Sequence, residues 1–212
     1  DVAIPVGPWR APMANTNVFV NESFIDELAH AAGTDPVAFR LAMLGPNARP
    51  RLVLERVAML AAWGSPLPAG HARGVALGSW NGSWIALVAE VSLPGGKLKV
   101  HRMLASVDVG QPVHLDGVEQ QLQSGMLYGL SAALTGKITF ADGGPVQKNF
   151  NDYTVLRMAD SPELVVDILP SHAPMSGAGE IGTPCVAPAV ANAVFALSGK
   201  RLRTMPFNDA LA

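Results

Sequence analysis

The stretch WIALVAEVSLPGGKLKVHRMLASVDVG (84–110) decides the fold. Its two apolar runs read as strands, and the PGG at 94–96 turns one back on the other as a hairpin. RGVALGSW (73–80), just upstream, is a further strand. Before residue 70 the period is helical. NESFIDELAHAAG (21–33) begins on Asn21, a good N-cap, carries Phe24, Ile25, Leu28 and Ala32 at helical spacing, and stops at Gly33. DPVAFRLAML (35–44) has Asp35 as cap and Pro36 in its first turn. RPRLVLERVAMLAAWG (49–64) is a third helix, ending at Gly64. After the hairpin come a long helix at 115–136, strands in KITF (137–140) and ELVVDILPS (163–171), and a last helix from Thr183 or Ala187 to Leu197 that stops at Gly199. N-terminal helices followed by a mixed sheet packed with helices make an α+β fold, with a helical segment over 1–70 and a mixed strand and helix segment over 71–212.

Composition narrows the function. The chain has 212 residues, 49% of them hydrophobic and only 15% charged, where a soluble domain usually has about 25%. Such a surface is expected to be covered in part by other protein. The net charge of −2 and the absence of a Lys/Arg run argue against a nucleic-acid partner. A single cysteine, Cys185, excludes an internal disulfide and a Cys-only zinc site. The apolar run Cys185–Leu197 holds Pro188 and Asn192 and is too short to span a bilayer. DVAIPVGPWRAP (1–12) has neither an initiator methionine nor a signal-peptide pattern, and the chain is expected to be a fragment of a longer protein whose missing part lies upstream.

The candidate chemistry sits in SGAGEIG (176–182), where one acid, Glu180, follows a loop almost without side chains. A carboxylate ahead of a helix start is held in its charged form by the helix dipole and the free N–H groups there, ready to act as a base. The bare backbone of Gly177, Ala178 and Gly179 lets a ligand approach closely. The plainer alternative is a helix-start acid beside a turn. Gln120, Gln121 and Gln123 could bond phosphates or base edges, or face water; Arg10 could pair with an anion, or face water. The NFNDY cluster (149–153) reads as a turn. APAVANAVFAL (187–197) is apolar all round and must be buried, so Asn192 inside it needs hydrogen-bond partners. The five histidines form no metal pattern, and no phosphate loop or nucleophile elbow occurs.

Four stretches, at 6–44, 107–134, 149–171 and 177–203, together resemble the C-terminal part of the molybdenum-binding large subunit of the xanthine oxidase and aldehyde oxidase family. The similarity is closest to the isoquinoline 1-oxidoreductase beta-subunit branch. The resemblance implies that Glu180 is the general base and that Gln121, in VEQQ (118–121), contacts the pterin. It implies that Gly177, Ala178 and Gly179 present the glutamate beside the metal, and it places Arg10 at the cofactor, although the chain reads WRA where the family carries F/Y-R-G. The implied cofactor is a molybdenum–pyranopterin in its cytosine dinucleotide form, bound in the full-length protein and not by this fragment, with no protein metal ligand. The implied partners are the upstream part of the same subunit, a small subunit with 2Fe-2S clusters that takes the electrons, and a small-molecule substrate. The implied reaction oxidises an electron-poor carbon of an aromatic N-heterocycle or aldehyde with water-derived oxygen, in a bacterial cytoplasm or periplasm. The alternative is a catalytically silent assembly domain that keeps the fold. The two differ in one requirement: the enzyme needs an open cleft at Glu180 with Gln121 facing it.

Overall fold

A computed structural model describes residues 6–211. A four-stranded sheet runs through the molecule in the order β1 (His71–Trp80), β2 (Ser83–Ser92), β3 (Lys99–Asp108) and β6 (Glu163–Ile168). The first three strands are antiparallel and β6 runs parallel to β3, so the sheet is mixed and the fold is α+β, as expected. The PGG turn joins β2 to β3 where the sequence puts it. The strands alternate between two cores. Ile85, Leu87, Ala89, Met103, Ala105 and Val107 point to one face. Val75, Ala86, Val88 and Leu104 point to the other. Both faces are buried, which is why β2 is a continuous apolar run and not a clean alternation. Burying each large side chain of this kind contributes roughly 1.5–3 kcal/mol.

Helices cover both faces. α2 (Pro36–Ala42) and α3 (Arg49–Leu60) pack on the Val75–Val88 side. α4 (Leu115–Thr135) and α5 (Val186–Ser198) pack on the Ile85–Leu87 side, with α1 (Ala14–Ala31) against α5. α5 touches β1 and β2 so closely that a Cβ on Gly74 would collide with the backbone of Ala193 and Ala189. The buried Asn192 finds its partners, donating to the carbonyls of Val75 at 3.1 Å and Glu22 at 3.3 Å. α2 is capped as expected, Asp35 accepting from the N–H groups of Val37 and Ala38, each at 2.9 Å. A short hairpin, β4 (Phe140–Ala141) with β5 (Gly144–Pro145), and a terminal helix, α6 (Phe207–Leu211), complete the described chain. Among the described residues no helix is long and apolar enough to cross a membrane.

The structure corrects three expectations. α1 begins at Ala14, not Asn21, which lies exposed in mid-helix. Its buried face is Ala14, Phe19, Glu22, Asp26 and Ala29, while Phe24 and Leu28 are 56% and 41% exposed. The acids can turn inward because each meets a cation: Arg40 Nε lies 2.8 Å from Glu22 and Arg201 Nη1 lies 2.6 Å from Asp26. A buried charge is tolerated when it is paired and hydrogen-bonded, and here that overrides the apolar count. KITF is strand only at Phe140, and 137–139 is irregular. α3 ends at Leu60, with Gly64 lying beyond it in a turn at φ 85°.

Candidate active site

Three segments meet at Glu180. The first is the turn Gly179–Cys185 that precedes α5. It is seated on α4 at places where α4 has no side chains. A Cβ on Gly125 would lie 3.1 Å from Gly182 Cα, and one on Gly129 would lie 2.9 Å from the Thr183 carbonyl. The second is the Asn81–Gly82 turn between β1 and β2, both residues at positive φ, with Trp80 just before it. The third is the stretch Trp9–Met13, which crosses over the first two. Trp9 stacks on Tyr128 of α4 with ring centroids 4.8 Å apart, and Ala11 is fully buried at a positive φ of 61°.

These segments hold the Glu180 carboxylate by both oxygens. Oε1 accepts from the Ala11 N–H at 3.0 Å and Oε2 from Trp80 Nε1–H at 2.8 Å, with Asn81 Nδ2 further off at 3.4 Å. The Trp80 bond first, then the Ala11 N–H and the nearby Arg10 charge, hold the carboxyl below the usual carboxylate range against a small opposing cost of burial. Glu180 is therefore ionised at neutral pH, but not for the reason the sequence suggests. α5 starts at Val186, beyond the reach of its dipole, and the charge is held by an indole and a loop amide.

The remaining candidate residues cluster around the same loop. Arg10 Nε donates to the Gly179 carbonyl at 2.8 Å, Nη1 to Ser124 Oγ at 3.1 Å, and Nη2 to the Gln121 carbonyl and Oε1 at 3.2 and 3.1 Å. These bonds go to protein, and Arg10 ties the glycine loop to α4. Because Arg is donor-only, Gln121 must turn its Oε1 toward it. That leaves the Gln121 amide nitrogen, on an exposed side chain, with no acceptor among the described residues. Gln120 bonds Asp116 at 2.8 Å and Gln123 bonds Glu119 at 2.9 Å, each one turn away on α4, so these two form a solvated helix face. NFNDY is a turn, with the Asp152 N–H donating to the Asn149 carbonyl at 3.0 Å. Trp80, Asn81, Ala11 and Ser124 have no expected role in the sequence. The signal for the first two was the Asn81–Gly82 dipeptide, a hairpin turn that fixes where Trp80 points.

The loop suits an acceptor-rich ligand. Gly177 and Gly179 are exposed, and a Cβ on either would meet nothing closer than 3.9 Å. The N–H groups of Gly177, Ala178 and Gly179 donate to no group among the described residues. A mostly apolar cavity of about 380 Å³ adjoins the loop, lined by Val109, Pro112, Val113, His114, Met175 and Ala178. A larger one of about 730 Å³, beside Lys97, His101 and Arg157, lies apart from Glu180. No cluster of three or more His, Cys, Asp or Glu side chains that could hold a metal occurs among the described residues.

The profile of the molybdopterin cofactor-binding domain family matches residues 51–162. The chain belongs to this molybdopterin-binding family. Subunit beta of isoquinoline 1-oxidoreductase from Brevundimonas diminuta is 35% identical over 199 residues, a match covering 92% of this chain and 26% of that protein. A membrane-bound aldehyde dehydrogenase of Gluconacetobacter polyoxogenes, whose name carries pyrroloquinoline quinone, is 36% identical over 210 residues, covering 89% of this chain and 27% of that one. The crystal structure of an aldehyde oxidoreductase from Desulfovibrio desulfuricans superposes with a TM-score of 0.78 over 97% of this chain and 41% of that chain; at 12% identity the likeness is one of fold. The chain spans about a quarter of the length of the curated relatives it matches.

Proposed function

We propose that this chain is the part of a molybdenum hydroxylase subunit that carries the base, Glu180, for oxidising an electron-poor carbon of an aldehyde or aromatic N-heterocycle with water-derived oxygen. The observation that carries the proposal is the Glu180 carboxylate, ionised and held at both oxygens beside a loop whose N–H groups have no partner among the described residues. The names of the two curated relatives supply the substrate classes, a nitrogen heterocycle and an aldehyde. Gln121, through its amide nitrogen, and the N–H groups of Gly177, Ala178 and Gly179 are the groups that would hold the cofactor, a molybdenum–pyranopterin in its cytosine dinucleotide form. When bound, that group would supply the two-electron redox chemistry by accepting the electron pair of the C–H bond that breaks, and a small partner subunit with 2Fe-2S clusters would be the electron acceptor.

The chain's own work is to place and charge the base. Glu180 takes up a proton at Oε1 or Oε2 from the oxygen nucleophile as that oxygen attacks carbon. The Trp80 and Ala11 donors make it a weaker base than a free glutamate and favour its ionised form. Arg10 keeps the loop and α4 at a fixed separation, and with it the distance between Glu180 and Gln121.

The test is Glu180→Gln in the complete enzyme with its partner subunit. It keeps the side chain's shape and removes the proton acceptor. Turnover should fall by about 10²–10⁴-fold, mainly in reduction of the enzyme by substrate, at unchanged molybdenum content. Near-native turnover at full metal loading would reduce Glu180 to a structural acid.

A further inference from the structure

We propose that Trp80 is a positioning residue: its indole N–H, working with the Ala11 amide, fixes the orientation of the Glu180 carboxylate. The inference rests on Glu180 being the base and adds a residue on which that role depends. The geometry is specific. Trp80 is the last residue of β1, its ring packs against the apolar core, and its Nε1 lies 2.8 Å from Oε2. The Ala11 N–H holds the other oxygen at 3.0 Å. Two donors from two segments, one on each oxygen, leave the carboxylate no free rotation about its terminal bond. An indole N–H donates and never accepts, so it bonds only a lone pair and favours the ionised acid over the protonated one. Trp80 itself is held in place by the tight Asn81–Gly82 turn. Arg10 is the charged group that faces Glu180; Trp80, Asn81 and the Ala11 amide are neutral donors. Removing the indole donor therefore changes the carboxylate's orientation and proton affinity without changing any charge.

Trp80→Phe keeps a ring in the core and deletes the donor. In the complete enzyme the acidic limb of the kcat/KM profile should move to higher pH, so that on this falling limb kcat/KM drops by about two- to tenfold. A limb that stays in place at full molybdenum content overturns the proposal.

A second measurement needs no activity. In the full-length subunit labelled with 15N-tryptophan, the Trp80 indole N–H signal should move on acidification as Glu180 takes up its proton. Trp63, whose Nε1 donates to Asp35 Oδ2 at 2.8 Å, is the internal control. In Glu180→Gln one indole signal should lose its titration while that of Trp63, bonded to a different carboxylate, is unaffected by the substitution. If no indole signal responds to Glu180→Gln, the clamp does not exist, whether or not Trp80→Phe folds. The two readings fail separately: a Glu180→Gln enzyme that still turns over removes the base, and an indole indifferent to Glu180 removes the clamp.

Discussion

Arg10 shows how one side chain can serve a site without facing its ligand. Its guanidinium bridges the Gly179 carbonyl, the Gln121 carbonyl and Ser124, and lies 5.8 Å from the Tyr128 ring centroid. A planar fork with several donors can satisfy these acceptors together, and an ammonium cannot. Arg10→Ala should lower stability by about 1–3 kcal/mol, read as a lower urea midpoint, and should speed amide exchange at 177–181. Arg10→Lys should recover only part of each. An unchanged midpoint together with unchanged exchange would mean that the loop holds itself. Little of this was legible in the sequence. Arg10, Gln121 and Gly179 stand far apart along the chain, and no local pattern says that an Arg in a proline-rich stretch will close onto a loop near the other end.

At the scale of elements, Glu180 is placed by close backbone packing between α4 and the turn ahead of α5. Gly182 is the tightest point: a Cβ there would sit 2.8 Å from the Leu122 carbonyl and 3.2 Å from Leu122 Cα. Neither atom can retreat without moving the helix. Gly182→Ala should cost about 1–3 kcal/mol and displace the turn, and in the complete enzyme kcat should fall more than KM rises, because the base moves while the rest of the pocket stays. Native kcat at native stability would show that the turn can yield. The elements themselves were largely readable. The hairpin at 94–96, the Asp35 cap and the all-apolar α5 each declare themselves through local chemistry. α1 did not, because its buried face carries Glu22 and Asp26, whose partners Arg40 and Arg201 come from other elements. Apolar periodicity identifies a buried face only where burial is apolar; here paired charges reversed it and left Phe24 and Leu28 outside.

Over the whole molecule, acid-sensitive pairs tie the layers together. Asp108 ends β3 and meets Arg49 at the start of α3 by two bonds of 2.6 and 2.8 Å; burial opposes its ionisation, but Arg49, the Gly110 N–H and Ser171 outweigh it and hold the carboxyl low. Glu27 of α1 is held low by its bonds to Arg203, and Glu180 is held low by Trp80 and Ala11. Each of these acids binds its proton less tightly folded than unfolded. Their contribution is therefore complete above the ordinary carboxylate range and is lost as pH falls through the depressed folded values. Glu22 works the other way: burial pushes its carboxyl up against the pull of Arg40, so its contribution is complete below the ordinary range and fades as pH rises through the raised folded value. Three depressed acids against one raised acid set the expected sign. The urea midpoint should fall steadily as pH drops below about 4, through the three depressed values. Asp108→Asn should lower the midpoint at neutral pH and flatten the acid fall, because the variant has already lost what acid removes from the native protein. A midpoint that rose on acidification would mean that Glu22 governs the balance, and that the polar network under α1, not the Arg49–Asp108 junction, sets the pH dependence of the fold.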